Sequence, residues 1–178
     1  MKKKLVLLSV MVVLSGFSFA QGGDEKSKTK QLDDAAWARA GCGPDAIRFD
    51  VKMDKHQHTL AEPESGKAVV YVFLENLTNG SEPKTRVGVD GKWVGANLSY
   101  MFFSIAPGAH RLCSNWQGFP SEGAAIDFTA ETGKSYFFTT KISRSGAFRL
   151  QQVPEAEGHF LIASHGLSTS TEKRNQDE

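Results

Sequence analysis

The sequence predicts an all-β protein: a single antiparallel β-sandwich of about eight or nine strands, with a short N-terminal helix and disordered termini. Three observations point there. Short apolar or alternating runs recur along residues 45–165, with Gly, Pro, Asn and Asp between them. Asp90-Gly91 joins two of these runs as a two-residue hairpin turn, because both residues tolerate positive φ. No helical pattern long enough for a crossover lies between the strands, which disfavours a parallel βαβ sheet.

The N-terminus is read separately from the fold. Lys2, Lys3 and Lys4 form a basic start, Leu5 to Leu14 is an apolar run broken only by Ser9, and Ser18-Phe19-Ala20 places small residues before a cleavage point. This pattern predicts a secretory signal, residues 1–20, cleaved after Ala20. The apolar run is shorter than the roughly 20 residues a spanning helix needs, so no transmembrane span is expected in the mature protein. Gln21 follows the cleavage point and the first cysteine is Cys42, so a lipoprotein is not expected. The expected location is periplasmic or secreted. Taking Lys2, Lys3 and Lys4 from the 21 Lys and Arg leaves 18 against 20 Asp and Glu, a formal net charge of −2. So balanced a surface gives no electrostatic reason to expect nucleic acid or an anionic membrane as partner.

Residues 21–31 are polar and charged throughout and read as a flexible leader. Leu32 to Ala40 reads as a short helix, with Asp33 and Asp34 in its first turn and Gly41 at its end, so that leader and helix fill 21–44. Ile47 to Lys52 alternates as a strand with one wet face. Lys67 to Glu75 (KAVVYVFLE) is continuously β-branched, apolar or aromatic and predicts a central strand buried on both faces. Arg86–Val89 and Lys92–Gly95 flank the Asp-Gly turn. Tyr100–Ile105, Ala109–Trp116, Ala125–Thr129, Lys134–Ile142, Phe148–Val153 and His159–Ala163 follow as strands. Residues 166–178 are expected to be a disordered polar tail.

Cys42 and Cys113 form an even pair in a chain expected to leave the cytoplasm, which predicts a disulfide. The competing reading is a reactive thiol at Cys42, within Gly41-Cys42-Gly43-Pro44. No activating neighbour stands near it in the sequence.

Candidate chemistry is sparse. Gly88-x-x-Gly91-Lys92-x-x-Gly95 has the wrong glycine spacing for a phosphate-binding loop, and Trp93 follows the lysine where Ser or Thr is needed. His56-x-His58 would place two imidazoles on one face of a strand, with Asp54, Glu62 or Glu64 as a third ligand for zinc or copper. In a polar, proline-containing loop, solvated side chains are the commoner outcome. His110 is placed to hydrogen-bond the Pro107-Gly108 turn, and His159 and His165 flank the last expected strand. Ser164 and His165 are adjacent, but in a strand they would face opposite ways and could not act together. No Gly-x-Ser-x-Gly elbow is present. Asp50, Asp90 and Asp127 have ordinary turn or solvent roles, and no catalytic residue is assigned. Trp93, Tyr100, Phe102, Phe103, Trp116 and Phe119 cluster around the hairpin and the next strand. Core packing is their default, and Trp93, Tyr100 and Trp116 are the candidates for contacts with a sugar or peptide.

Val87-Gly88-Val89-Asp90-Gly91, Gly95, Ile105-Ala106-Pro107-Gly108-Ala109-His110 and Ala130-Glu131-Thr132-Gly133-Lys134-Ser135-Tyr136-Phe137 follow one another in an order that resembles a family of exported bacterial domains of unknown function. The same order is similar to PEGA-type envelope domains. The resemblance spans residues 66–163 and implies an Ig-like or PEGA-like sandwich resident in the cell envelope. It brings no catalytic residues and no cofactor. Many members look like lipoproteins, a pattern from which this chain departs.

The expectation is therefore an exported, non-catalytic envelope module, without cofactor, that binds a protein or a cell-wall glycan through a sheet face or an edge strand. The alternative is a small metal-dependent hydrolase using His56 and His58. A third reading is a structural or stress-induced envelope protein with no small ligand.

Overall fold

In the computed structural model, which describes residues 42–76, 84–118, 123–142 and 148–173, two sheets pack face to face. The signal segment, the leader, the helix over Leu32–Ala40, Phe119 and residues 174–178 lie outside the described residues. The strands are β1 (Phe49–Asp54), β2 (Ala68–Asn76), β3 (Thr85–Val89), β4 (Lys92–Asn97), β5 (Tyr100–Ile105), β6 (Gly108–Trp116), β7 (Ala124–Ala130), β8 (Ser135–Ile142), β9 (Phe148–Val153) and β10 (Leu167–Glu172). One helix, α1 (Glu155–Ser164), precedes β10. The larger sheet runs β1-β10-β5-β2-β8-β9 and the smaller β4-β3-β6-β7.

The sandwich is mixed rather than purely antiparallel. β2 pairs with β8, and β10 with β5, in parallel. After β2 the chain crosses into the smaller sheet for β3 and β4, returns for β5, crosses again for β6 and β7, and comes back as β8 beside β2. Excursions through the opposite sheet thus do the work of a crossover helix.

The unbroken apolar run of β2 is explained by burial on both faces. Ala68, Val70 and Val72 point toward the smaller sheet and meet Val87, Met101, Leu112, Phe128 and Phe138. Val69, Tyr71 and Phe73 point the other way, onto Tyr100, Phe137, Val153, Leu161, Ile162 and Leu167. That second face is covered by α1 and by the 56–66 loop. Two phenols hold the loop in place. Tyr71 Oη accepts from the Ala61 N–H at 2.7 Å and donates to the Ala61 carbonyl at 3.0 Å. Tyr100 Oη accepts from the Thr59 N–H at 2.7 Å. Burial pushes both phenols up from their ordinary pKa, so they stay protonated.

Two segments differ from expectation. His159–Ala163 belongs to helix α1, not to a strand. A short apolar run does not reveal its own period, and the flanks decide it. Pro154 stands at the N-cap, Glu155 and Glu157 occupy the first turn, and the buried residues Gly158, Leu161 and Ile162 are spaced three and four apart. The expected tail is ordered through β10, because Leu167–Glu172 pairs along the whole of β1. Its serines also reach the smaller sheet. Ser168 Oγ accepts from the Leu98 and Ser99 N–H groups at 3.1 and 3.2 Å, and Ser170 Oγ from Ala96 N–H at 3.1 Å. A polar composition read as solvated is in fact a hydrogen-bonding seam.

Gly158 seats α1. A methyl group there would lie 2.8 Å from Phe137 Cβ and closer still to the ring. Phe137 cannot retreat, because Tyr71 stacks on it at 4.9 Å between centroids. Alanine is worth about 1 kcal/mol more than glycine in an open helix. Here the overpacking exceeds that gain, and Gly158→Ala is expected to destabilise by about 2 kcal/mol. Combining it with Phe137→Leu should recover most of the loss of Gly158→Ala measured on the Phe137→Leu background by urea unfolding. An equal penalty on both backgrounds would reject the contact as the cause.

Candidate functional site

Two polar constellations stand on the smaller sheet. The first lies where the chain enters the described fold. Arg86 on β3 is fully buried with its side chain on the outer face of the sheet. Its Nε donates to Asn115 Oδ1 at 2.9 Å, Nη1 to the Asp45 and Ile47 carbonyls at 2.9 Å each, and Nη2 to Asp45 Oδ1 at 2.7 Å. Trp93 packs over the guanidinium at 4.4 Å and donates its Nε1–H to the Pro44 carbonyl at 2.7 Å. Beside it the Cys42–Cys113 disulfide, with a Cα–Cα distance of 5.3 Å, ties the same segment to β6. The predicted bridge is thus present. Burial lowers the Arg86 pKa, while Asp45 works in the opposite direction. This cluster is a clamp, since every guanidinium nitrogen already has an acceptor.

The second constellation joins two turns. Asp90 and Gly91 take φ of 51° and 82°, the backbone the two-residue turn demands. The Asp90 carboxylate then reaches β6, where Oδ1 accepts from the Arg111 N–H at 2.9 Å and Oδ2 lies 2.7 Å from His110 Nδ1. His110 Nε2 lies 2.8 Å from the Ala106 carbonyl. The ring is thereby held between two oxygen acceptors, one on each nitrogen. Arg111 forks onto Asp127 of β7 with two contacts of 2.6 Å. Asp90, Ala109, His110, Arg111, Asp127, Phe128 and Thr129 line a shallow open depression of about 420 Å³. The Asp90-Gly91 and Pro107-Gly108-Ala109-His110 motifs, each a turn in the sequence, are therefore tied together by one side-chain pair.

Burial works to raise the Asp90 carboxyl, but the Arg111 N–H and the His110 ring outweigh it and hold the pKa below the usual range. A depressed carboxyl stabilises the fold above its unfolded-state pKa and loses that contribution as the pH falls through the folded-state value. The carboxylate is half-exposed, which keeps the effect small. Asp90→Asn, which keeps the turn, is expected to cost about 1 kcal/mol at neutral pH. The gap from wild type should close as the pH drops below about 4 in a series of thermal melts. A gap independent of pH would assign the loss to the turn instead.

The other sequence candidates do not converge. His56 is exposed, and its backbone N–H is held by Asp54 Oδ1 at 2.9 Å. His58 turns its Nδ1 to the Ile162 and His165 carbonyls at 2.9 and 3.0 Å, which makes it a tie to the end of α1. Among the described residues no group of three or more His, Cys, Asp or Glu is placed to share a metal ion. Ser164 and His165 do meet, because they lie at a helix end and not in a strand. Ser164 Oγ is 3.0 Å from His165 Nδ1. The same nitrogen faces the Leu161 carbonyl at 3.0 Å, and the hydroxyl is within reach of the Phe160 and Leu161 carbonyls. A nitrogen shared with a carbonyl is set up to donate, which does not suit a general base. Among the binding candidates, Tyr100 is wholly buried and stacks on Phe73. Trp93 belongs to the Arg86 clamp, and Trp116 meets Phe148 edge-on at 5.6 Å. They do not form one surface. Asp50 pairs with Lys173 at 3.0 Å across β1 and the end of β10.

No protein-family model matches the chain, and no curated protein is similar to it. Among the described residues no helix is long and apolar enough to cross a membrane.

Proposed function

We propose that the mature chain is an exported, non-catalytic binding module of the cell envelope that takes an extended segment of a partner protein along the β7 edge. The observation that carries this reading is the asymmetry of the sandwich. On one side, Ser168 and Ser170 of β10 sew that strand to the end of β4 and the turn after it, and Gln117, just past β6, holds β1 by bonding both the N–H and the carbonyl of Phe49 at 2.7 and 2.8 Å. On the other side, β7 and β9 end their sheets. An outer strand offers main-chain groups for strand addition, and the depression around Asp127, Phe128 and Thr129 lies directly on β7 to read side chains. A non-catalytic role is supported by the engagement of both His110 ring nitrogens and the pairing of Arg111 with Asp127.

The test is affinity capture of detergent-solubilised envelope proteins by the purified mature chain, with co-sedimentation on isolated cell-wall glycan as the second arm. Hydrogen exchange in the presence of the captured protein should slow the β7 amides and leave those of β1 unchanged. Capture of nothing, binding to glycan only, or protection that misses β7 would each refute the reading.

A further inference from the structure

The layer between the two sheets is apolar at one end and polar at the other. Cross-strand partners share a face, so the pairings Thr85 with Asn97 and with Trp116, and Val87 with Ser114, line up Thr85, Asn97 and Ser114 on the inner face of the smaller sheet. From the larger sheet, Thr140 donates across to Ser114 Oγ at 3.2 Å. The Asn97 Nδ2 donates across the gap to the Val72 carbonyl at 2.9 Å. Thr85, Asn97, Ser114 and Thr140 are all buried to within 1%. Such groups are costly to place in a core unless they are bonded. Yet Thr85 Oγ1 and Asn97 Oδ1 have no partner among the described residues.

We infer that this end of the sandwich is an internal binding site for one small neutral hydrogen-bonding molecule, a water, held by Thr85, Asn97 and Ser114. Thr85 and Asn97 are directly opposed, with Cβ atoms about 5 Å apart, and Ser114 is the diagonal neighbour of Thr85 on β6, about 7 Å away, so one water lying between them can reach all three. The hydroxyls of Thr85 and Ser114 donate to it, and it donates to Asn97 Oδ1. That gives the water three partners, the usual number for a buried one, and satisfies both orphan oxygens. It also joins β3, β4 and β6 where the apolar core has ended.

The experiment uses the whole mature protein with its disulfide intact. Water-selected NOE and ROE spectra should show a long-lived water at the Thr85 methyl and the Asn97 side-chain amide. Thr85→Val, close in shape but without the hydroxyl, should abolish that signal and lower the Tm by about 4 °C, with an otherwise unchanged amide fingerprint. Oxygen-17 relaxation dispersion should count one fewer long-lived water in the variant. Two results would overturn the site: no such water in the wild type, or a valine variant that is more stable, as relief of a dry, unbonded hydroxyl requires. If Thr85→Val fails to fold, the wild-type spectra and Ser114→Ala, which should weaken the same signal, decide the question.

Discussion

Replacing Cys42 and Cys113 together by alanine is expected to lower the free energy of unfolding by about 4 kcal/mol. The two residues are 71 apart in sequence, so the bridge closes a long loop and removes many conformations from the unfolded chain. Both are buried against Trp93, so the variant also loses packing at the point where the chain joins the smaller sheet. Urea unfolding of the oxidised wild type and the double variant measures the difference. A loss below about 1 kcal/mol would mean that the unfolded chain is already held compact by other contacts.

The second large effect is expected at Arg86. Arg86→Met fills much of the same volume but leaves the Asp45 carboxylate and Asn115 Oδ1 without this donor, and the Asp45 and Ile47 carbonyls with Arg48 Nη1 alone. Removing one partner of a buried ion pair costs about 3–5 kcal/mol. Asp45 is partly exposed and water replaces some of the loss, so about 3 kcal/mol is expected here. Arg86→Lys should recover little, because an ammonium does not reproduce the planar fork. The two changes act on one segment. Once residues 42–48 are released by loss of the bridge, the Asp45 and Ile47 acceptors of Arg86 leave with them. The combined variant should therefore be destabilised by clearly less than the sum of its parts, and strict additivity in a double-mutant cycle would separate the clamp from the disulfide.

Much of the fold is legible in particular residues. Asp90-Gly91 announces its hairpin because few sequences tolerate two consecutive positive φ angles. The run from Val69 to Leu74 announces a strand buried on both faces because no wet face is left in it. His159–Ala163 reads as a strand because so short an apolar run fits either element; the flanking Pro154, Glu155 and Glu157 are what set the helix. The polar cluster around His110 was legible as two turns and illegible as one site, because Asp90 and His110 are brought together by the β3–β6 pairing. Arg86 gave no local signal at all, since its partners at 45–47 and 115 are distant in sequence.

By itself the sequence determined the positions of most strands, the turn chemistry and the pair of cysteines, because these follow from local backbone preference and side-chain period. The tertiary structure decided which strands run parallel, that the serine-rich end becomes a seam, and which polar groups meet. Those outcomes depend on contacts between residues tens of positions apart, whose free energy is realised only when two sheets close on each other and exclude water.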